Sequence, residues 1–497
     1  METNFKMVAK TMKGLEAVLA DELRRMGAAN VKPGHRMVSF EGNLETLYRA
    51  NLCLRTALRV LKPIYTFKAS NPDVMYDRLK EFDWSTIMNA DSTFAIDMVM
   101  NSDTFTHSRF ATYRVKDAIV DWFRDRFDKR PGVRLHDADV MLNVHIQADR
   151  VTVSLDSSGE SLHKRGWRVA TTEAPINEVL AAGILLMSGY NGSQPLVDPM
   201  CGSGTFLVEG ALIAANINPG VFRRNYAFQR WADYDEELFE NLWNNDEGER
   251  EPGNIIAGAD MLASAVEATK RNLRAAGVAK YVNVEVRKFS EWQQAPADAG
   301  ILVMNPPYGE RISAPDMDEL YALIGRQLKN IFTGWTAWII SMKEDYLTKI
   351  GLAPSQKIAL MNGSLECELR EYVMFAGNKR DFRAAGGKLK EEKKNDSKKP
   401  SRKTGKERFS DKKSFGAKKS SFADKKGGNY RQSKPGADFH RVKPAVSRVE
   451  EKEGEEMNPL AKRRNPDALK SIVNRMPSLP KPTGPIMRER GWKKKTQ

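Results

Sequence analysis

Apolar residues recur with two periods near the start of the chain, and each period predicts a different kind of element. Over residues 14–26 the apolar residues Leu15, Val18, Leu19 and Leu23 follow one another at i, i+3, i+4 and i+8. This period predicts an amphipathic helix, whereas residues 5–9 and 37–41 are predicted to be strands. Together these elements predict a small α+β unit.

A second pattern of the same kind follows from about residue 68. Helices are predicted near residues 72–81 and 111–127, and strands over residues 93–100, 141–148 and 150–158. The last two strands are separated by a very short turn, which predicts a hairpin. An accessory α+β domain is therefore expected before residue 165.

After residue 175 strands and helices alternate. The predicted elements lie at residues 195–198, 204–216, 255–259, 261–276, 282–286, 301–304, 317–331 and 335–341, with late strands near 357–361 and 368–375. This alternation predicts a mainly parallel sheet with helices on both faces. Because such sheets bind ligands at the carboxyl ends of their strands, candidate site residues are expected there.

The first two of these strands both end in an acidic residue. Asp198 precedes a loop in which Gly202 and Gly204 bracket a tight turn and let a ligand approach the backbone. Asp260 follows the second strand, where a carboxylate can accept both hydroxyls of a ribose. The alternatives are a turn that binds no ligand for the glycines and a helix N-cap for Asp260, and capping is compatible with ribose binding.

The apolar strand 301–304 stops abruptly at Asn305, Pro306, Pro307 and Tyr308. Two prolines fix the backbone where the strand ends, so an amide and an aromatic ring are held together on a rigid corner. This pair suits a planar substrate that bears an amino group, and the alternative is a plain proline turn. No phosphate-binding GxGxxG or GxxxxGK[ST] motif follows the first strand, which disfavours a dinucleotide or a nucleoside triphosphate.

The charge of the chain is unevenly distributed. Residues 378–497 contain 36 Lys and Arg against 15 Asp and Glu, a charge of +21 within a total of +15, which leaves residues 1–377 at −6. The segment from 380 to about 460 has few aliphatic residues and is predicted to be disordered. Aromatic residues recur among its lysines, at Phe409, Phe415, Phe422 and Tyr430. This pattern favours RNA contact, with a solubilising linker as the alternative.

The spacing of the cysteines and histidines bears on whether disulfides or metal sites are expected. The 3 cysteines are far apart and the 6 histidines lack metal-ligand spacing, so neither a disulfide framework nor a metal site is predicted. The N-terminus has no apolar segment typical of a signal peptide, and no apolar run approaches membrane-spanning length. A soluble, cytoplasmic protein is expected.

The segments 198–205 (DPMCGSGT) and 305–308 (NPPY), with the acid at 260, resemble class I S-adenosylmethionine-dependent methyltransferases that act on amino groups. Residues 162–185, which begin LHKRGWRV, resemble the junction of THUMP-domain RNA methyltransferases, and 222–235 resembles their insertion. The resemblance is to 23S ribosomal RNA guanine-N2 methyltransferases of the RlmL type.

This resemblance implies an α/β protein in four parts. A ferredoxin-like domain (1–65) and a THUMP RNA-binding domain (66–160), both α+β, precede a Rossmann-like class I methyltransferase domain (161–377) and the disordered basic tail. The implied substrate is a guanine N2 amino group in 23S rRNA, as naked or partly assembled large-subunit RNA. No membrane partner is expected.

The resemblance also implies residue roles. The loop from Asp198 to Thr205 holds the methionine part of S-adenosylmethionine, and Asp260 its ribose. Asn305 and the Pro306 carbonyl accept hydrogen bonds from the guanine amino group, and Tyr308 stacks on the base. In the place of the acid that usually contacts the adenine, this chain has Lys288 or Ser290.

Candidate RNA contacts form three basic groups, each with a structural alternative. Lys164, Arg165 and Arg168 lie in the junction, which otherwise acts as a linker around Trp167. The second group is Arg109, Tyr113, Arg114 and Lys116, for which the alternative is a solvated helix face. The third group, with a packed insertion as the alternative, is Arg223, Arg224, Phe228 and Trp231.

Three alternatives to the rRNA enzyme stay open. A tRNA methyltransferase shares the chemistry, and DNA adenine-N6 methyltransferases share the NPPY segment, although the N-terminal domains and the junction argue against DNA. A non-catalytic RNA-binding factor with an inactive methyltransferase fold is disfavoured by the intact Asp198, Gly202, Gly204 and Asn305.

Overall fold

The structure is a computed structural model that describes residues 4–135, 137–307, 314–342, 344–363 and 365–377. Tyr308, which is predicted to stack on a base, lies outside these residues. So does the basic tail 378–497, with its predicted disorder and RNA contact.

One eight-stranded sheet is built from residues 5–156. Its strands are β1 (Phe5–Lys10), β2 (Ala29–Gly34), β3 (Met37–Gly42), β4 (Arg59–Lys68), β5 (Thr93–Asn101), β6 (Gly132–Val133), β7 (Val140–Gln147) and β8 (Arg150–Asp156). Their order across the sheet is β2-β3-β1-β4-β8-β7-β5-β6. Strand β5 is parallel to β6 and β7, and the other neighbours are antiparallel.

Four helices pack on one face of this sheet: α1 (Glu16–Arg25), α2 (Leu44–Cys53), α3 (Pro72–Glu81) and α4 (Ser108–Phe127). Alternating strand residues such as Val60 and Val153 share a buried core with helix residues such as Leu19 and Val115. Asparagine side chains at Asn43 and Asn71 accept backbone N–H groups at the starts of α2 and α3, which fixes where these helices begin.

Strand β4 joins the two halves of the sheet, because it pairs with β1 on one side and with β8 on the other. The predicted division between residues 65 and 66 falls inside this strand. The domain boundaries stay predictions, but the sheet itself is continuous across that position.

The second sheet has seven strands: β9 (Leu196–Asp198), β10 (Ile256–Asp260), β11 (Val282–Val286), β12 (Ile301–Met304), β13 (Thr336–Ser341), β14 (Gln356–Asn362) and β15 (Leu365–Val373). Their order is β11-β10-β9-β12-β13-β15-β14. The first five are parallel, and β15 is antiparallel to β13 and β14.

Six helices belong to the rest of the described chain: α5 (Glu178–Met187), α6 (Thr205–Ala214), α7 (Glu236–Asn244), α8 (Ala263–Ala275), α9 (Ala314–Ile331) and α10 (Glu344–Lys349). Helix α7 packs on α2, with Phe239 in the core of the first sheet, and the other five helices flank the two faces of the second sheet. Residues of α5, α6 and α8 share one core with Val303, whereas residues of α9 and α10 share another with Leu302. The predicted mainly parallel sheet with helices on both faces is confirmed.

Most predicted elements are present, within a few residues at each end. The α-helices and strands of the described residues that the sequence patterns do not predict are β2, α2, β4, β6, α5, α7 and α10. No helix among the described residues is both long enough and apolar enough to cross a membrane.

Candidate functional site

The sheet register brings Asp198, Asp260 and Asn305 to one edge of the second sheet. Strand β9 lies between β10 and β12, and Asp198 pairs with Gly258, two residues before Asp260. On the other side, Val197 pairs with Leu302, three residues before Asn305. The three polar residues therefore lie at the carboxyl ends of adjacent parallel strands, where ligands of such sheets bind.

Asp198 is only 1% exposed and accepts one hydrogen bond, from the backbone N–H of Met200 at 3.3 Å. Burial raises the pKa of its carboxyl group well above the usual value, and the negative charge of Asp260 raises it further. A cation that entered this edge of the sheet would stabilise the ionised form of Asp198.

The loop between β9 and α6 has a backbone that requires glycine. Gly202 and Gly204 have φ angles of +56° and +80°, in the left-handed region. A Cβ on Gly204 would lie 2.5 Å from the Cγ2 atom of Thr269 in α8. Close packing of the loop on α8 therefore excludes a side chain at Gly204, and Thr205 then begins α6.

Helix α8 and strand β10 hold this loop from outside. The Gly202 N–H donates to Asp260 Oδ2 at 3.0 Å, and the Gly202 carbonyl accepts from Thr269 Oγ1 at 2.8 Å. The Asn272 amide donates to the carbonyl of Ser203 at 2.9 Å. Sequence reasoning missed Thr269 and Asn272; the signal that could have found them is two polar residues, three apart, on the buried face of an amphipathic helix.

Asp260 holds the backbone on both sides of its strand end. Its Oδ1 atom accepts from the N–H of Leu262 at 2.9 Å, so it supports the start of α8 although Leu262 occupies the N-cap position. Met261, Leu262 and Val286, the strand partner of Asp260, are exposed apolar side chains beside it. Lys288 and Ser290 lie exposed just beyond β11.

Asn305 follows β12, next to the buried Pro306. Its Oδ1 atom is buried and has no hydrogen-bond partner among the residues that the structure describes. A buried acceptor without a donor is costly, so Asn305 Oδ1 is a candidate to accept a hydrogen bond from a ligand.

The junction residues lie in three different environments. Lys164 is exposed and pairs with Glu160, which leaves its predicted RNA contact untested. Arg165 is 2% exposed, forms an ion pair with the fully buried Glu209 and donates to the carbonyl of Arg55. It cannot reach an RNA backbone, so the predicted phosphate contact of Arg165 is corrected to an internal role.

Arg168 also points into the protein. Its Nε atom donates to Glu178 Oε1 at 2.6 Å, and its two terminal nitrogens donate to Ser203 Oγ at 3.0 Å and Thr205 Oγ1 at 2.9 Å. All five donors of a guanidinium lie in one plane, so these partners direct it toward the glycine loop. The side chain is 19% exposed, so its RNA contact stays a prediction beside this internal role.

The insertion after α6 packs on the junction. Arg223 is buried and donates to four backbone carbonyls, those of Ser158, Glu160, Ser161 and Lys164. Phe228 and Trp231 are buried in the core of the first sheet, whereas Arg224 is exposed. The alternative of a packed insertion is therefore correct for three of these four residues.

Three family models match successive parts of the chain. They describe an RlmL ferredoxin-like domain at residues 6–61, a THUMP domain at 69–156 and an RMKL-like methyltransferase domain at 165–371. The order of the three domains is the order implied by the sequence resemblance.

Curated relatives and solved structures agree with these models. "Ribosomal RNA large subunit methyltransferase K/L" of Syntrophotalea carbinolica is 41% identical over 75% of this chain, which spans 54% of that relative's length. "Putative RNA methyltransferase slr0064" of Synechocystis is 38% identical over 74% of this chain and 96% of its own length. The chain thus spans about half the length of the first relative and nearly all of the second.

Two solved structures resemble the fold closely. One, described as "a putative methyltransferase complexed with SAH", has 30% identity and a TM-score of 0.68 over 76% of this chain and its own entire length. The other, from Listeria monocytogenes and described as a "predicted N6-adenine-specific DNA methylase", has 29% identity and a TM-score of 0.67 over 75% of this chain and 97% of its own length. By its domain order, its sequence relatives and its fold, this chain belongs to the family of RMKL-like methyltransferases that carry ferredoxin-like and THUMP domains.

Proposed function

We propose that this chain transfers a methyl group from S-adenosylmethionine to the exocyclic N2 amino group of a guanine in 23S ribosomal RNA. The observation that carries the proposal is the buried, unpartnered Oδ1 atom of Asn305 beside Asp198 and Asp260. Support also comes from relatives named ribosomal RNA large subunit methyltransferases and from the neighbour solved with SAH, the demethylated form of the cofactor.

The residues at the strand ends fit S-adenosylmethionine. Asp198 offers a buried carboxylate to the cofactor ammonium group, and the glycine loop 202–205 beside it would contact the methionine part. Each oxygen of Asp260 keeps a second lone pair for a ribose hydroxyl. Exposed Met261 and Val286 give the adenine an apolar surface. When bound, the sulfonium supplies an already activated methyl group.

The role of Asn305 follows from the chemistry of an exocyclic amine. The nitrogen lone pair is delocalised into the ring, so the amine is a weak nucleophile. Asn305 Oδ1 and the Pro306 carbonyl accept its two N–H groups, favour a pyramidal nitrogen and aim the lone pair at the methyl group. Positioning of the reactants then supplies most of the rate enhancement, and no strong base is required.

The RNA partner is supported by the N-terminal domains. A THUMP model matches residues 69–156, and helix α4 within it exposes Phe110 and Tyr113, each more than half accessible, near Lys116. Exposed aromatic rings beside cations can stack on unpaired bases. Arg114 instead pairs with Asp73 and stacks on Tyr76, so it is unsuited to the predicted RNA contact. Naked or partly assembled large-subunit RNA in the cytoplasm is the proposed substrate.

The test is transfer of labelled methyl from S-adenosylmethionine to unmodified 23S rRNA and to tRNA, followed by nucleoside analysis. We expect N2-methylguanosine from rRNA and a loss of about 100-fold or more in rate for Asn305→Ala. Asn283→Ala, which removes an exposed asparagine from β11, is the matched control and should leave the rate unchanged.

A second candidate is methylation of the N6 amino group of adenine in DNA, which is favoured by the name of the Listeria neighbour. Asn305 can accept hydrogen bonds from either amino group. Label on DNA adenine and none on RNA would replace the proposal by this candidate, and label on tRNA alone would move it to a tRNA enzyme.

A further inference from the structure

We propose that Arg168 is a positioning residue of the cofactor loop, which fixes the hydroxyl groups of Ser203 and Thr205 on either side of Gly204. This inference rests on the proposed function, because it assigns the loop to S-adenosylmethionine. It also gives the junction between the THUMP and methyltransferase domains a defined task in cofactor binding.

The hydrogen bonds of Arg168 span the turn at Gly204. One terminal nitrogen reaches Ser203 Oγ at 3.0 Å, and the other reaches Thr205 Oγ1 at 2.9 Å. Between them Gly204 has a φ of +80°. Glycine can also adopt many other backbone conformations, so this turn is free to change unless its neighbours are held. A single rigid group that binds both neighbours of Gly204 restricts that freedom.

Arg168 is itself fixed by buried partners. Glu178, at the first position of α5, accepts from Nε at 2.6 Å and is only 6% exposed as a residue. The guanidinium also lies over the ring of Trp167 at 5.0 Å. A planar guanidinium with one edge on a carboxylate presents its other edge in one direction only, which a lysine ammonium cannot reproduce.

A second side chain ties the junction to the same loop. Asn272 Oδ1 accepts from the N–H groups of Val169 and Ala170, and its amide nitrogen donates to the carbonyl of Ser203 at 2.9 Å. Asn272 therefore holds the backbone of the loop, whereas Arg168 holds its hydroxyls. Loss of Arg168 leaves the backbone contact in place, so the expected defect is a loosened loop in a folded protein.

The first experiment measures S-adenosylhomocysteine binding by titration calorimetry for the wild type, Arg168→Met and Arg168→Lys. We expect the Kd to rise roughly 10- to 100-fold for Arg168→Met, because two charge-assisted hydrogen bonds to the loop are lost, and less for Arg168→Lys. The KM for S-adenosylmethionine should rise accordingly, with kcat at saturation and the Kd for RNA changed less than about threefold.

The matched control is Arg274→Met, which removes an exposed arginine that pairs with Glu267 on α8 and should leave the Kd unchanged. If Arg168→Met does not fold, the double variant Ser203→Ala with Thr205→Val removes the same two hydrogen bonds and keeps the guanidinium on Glu178. In both Arg168→Met and the double variant, the backbone amides of residues 202–205 are expected to exchange hydrogen faster than in the wild type when no cofactor is bound.

Two outcomes separate this inference from the proposed function. An unchanged Kd for S-adenosylhomocysteine with weakened RNA binding in Arg168→Met would overturn the positioning role and favour a phosphate contact. A wild-type chain that does not bind S-adenosylhomocysteine at all would instead contradict the proposed function.

Discussion

At the scale of single residues, the proposed contact of the buried Asp198 with the cofactor ammonium group predicts that cofactor binding is coupled to release of a proton. Its pKa is raised well above the usual value, mainly by burial, so the free protein holds a proton there at pH values where an exposed aspartate is ionised. A cofactor ammonium group next to Asp198 favours its ionised carboxylate, so the proton on Asp198 must leave when the cofactor binds. We therefore expect binding of S-adenosylhomocysteine to release a proton and to strengthen as the pH rises through the raised pKa.

Calorimetry in buffers of different ionisation enthalpy measures this proton release, which Asp198→Asn should abolish. The same shift affects folding without cofactor. Because the pKa of Asp198 in the folded protein exceeds the unfolded value of about 3.9, protonated Asp198 stabilises the folded state. This contribution to the free energy of unfolding is fully present below about pH 3.9 and is lost as the pH rises through the folded pKa. A stability profile that stays identical in Asp198→Asn would contradict this assignment.

Gly204 provides a second test at this scale, in which strain and contact can be separated. Gly204→Ala places a Cβ at 2.5 Å from Thr269, whereas Gly189 has the same φ of +80° and no atom within 4 Å of such a Cβ. We expect Gly189→Ala to cost about 1–2 kcal/mol of unfolding free energy through backbone strain alone. Gly204→Ala should cost a further 1–3 kcal/mol or so and abolish S-adenosylhomocysteine binding. Equal losses in urea titrations would show that the contact does not matter.

The sequence predicts which residues end the strands better than it predicts where long side chains point. Asp198, Asp260 and Asn305 come together because the carboxyl ends of parallel strands must meet at one edge. Arg165 and Arg168 read as basic surface residues, yet both are turned inward by buried acids on α6 and α5. The acids lie 44 and 10 residues away in sequence, and only the fold shows which of them meet which arginine.

At the scale of elements, the missed ones have identifiable causes. Helix α5 is apolar on nearly every side because it is buried all round, so it lacks the period that marks an amphipathic helix. Strand β4 contains Pro63, which cannot donate to a ladder and sits at an irregularity in the pairing with β8. Elements with one apolar face, such as α1 and α3, are predicted correctly.

The packing of the insertion on the junction depends on one arginine. Arg223→Met would leave four backbone carbonyls without their donor in a buried place, and we expect a loss of about 3 kcal/mol or more in the free energy of unfolding. Arg224→Met removes the exposed neighbour and should change stability by less than about 0.5 kcal/mol. Thermal or urea unfolding of the pair measures the difference, and similar values would refute the role of Arg223.

At the scale of the whole molecule, the basic charge is concentrated in residues 378–497, which the structure does not describe, while residues 1–377 carry −6. If the tail contacts RNA phosphates, a truncation after residue 377 should lower the slope of log Kd against log salt concentration. Filter binding of 23S rRNA fragments at several salt concentrations measures this slope. An unchanged slope would assign the tail a role other than phosphate contact.

The N-terminal domain also packs directly on the methyltransferase domain. A Cβ on Gly14 would lie 2.6 Å from Leu360 in β14, and one on Gly183 in α5 would lie 2.6 Å from Leu15. Such close contacts favour a fixed arrangement of the described domains over hinged ones.

The shared strand β4 limits how this protein can be divided. The family models stop at residue 61 and resume at 69, so a fragment cut to either model loses most of the strand that joins β1 to β8. An isolated THUMP fragment of residues 69–156 would expose the open edge of β8, a template for aggregation. Protein engineers, and any exchange of domains in this family, would therefore have to move the two N-terminal domains together, with a replacement for the insertion residues Phe228 and Trp231 that complete their core.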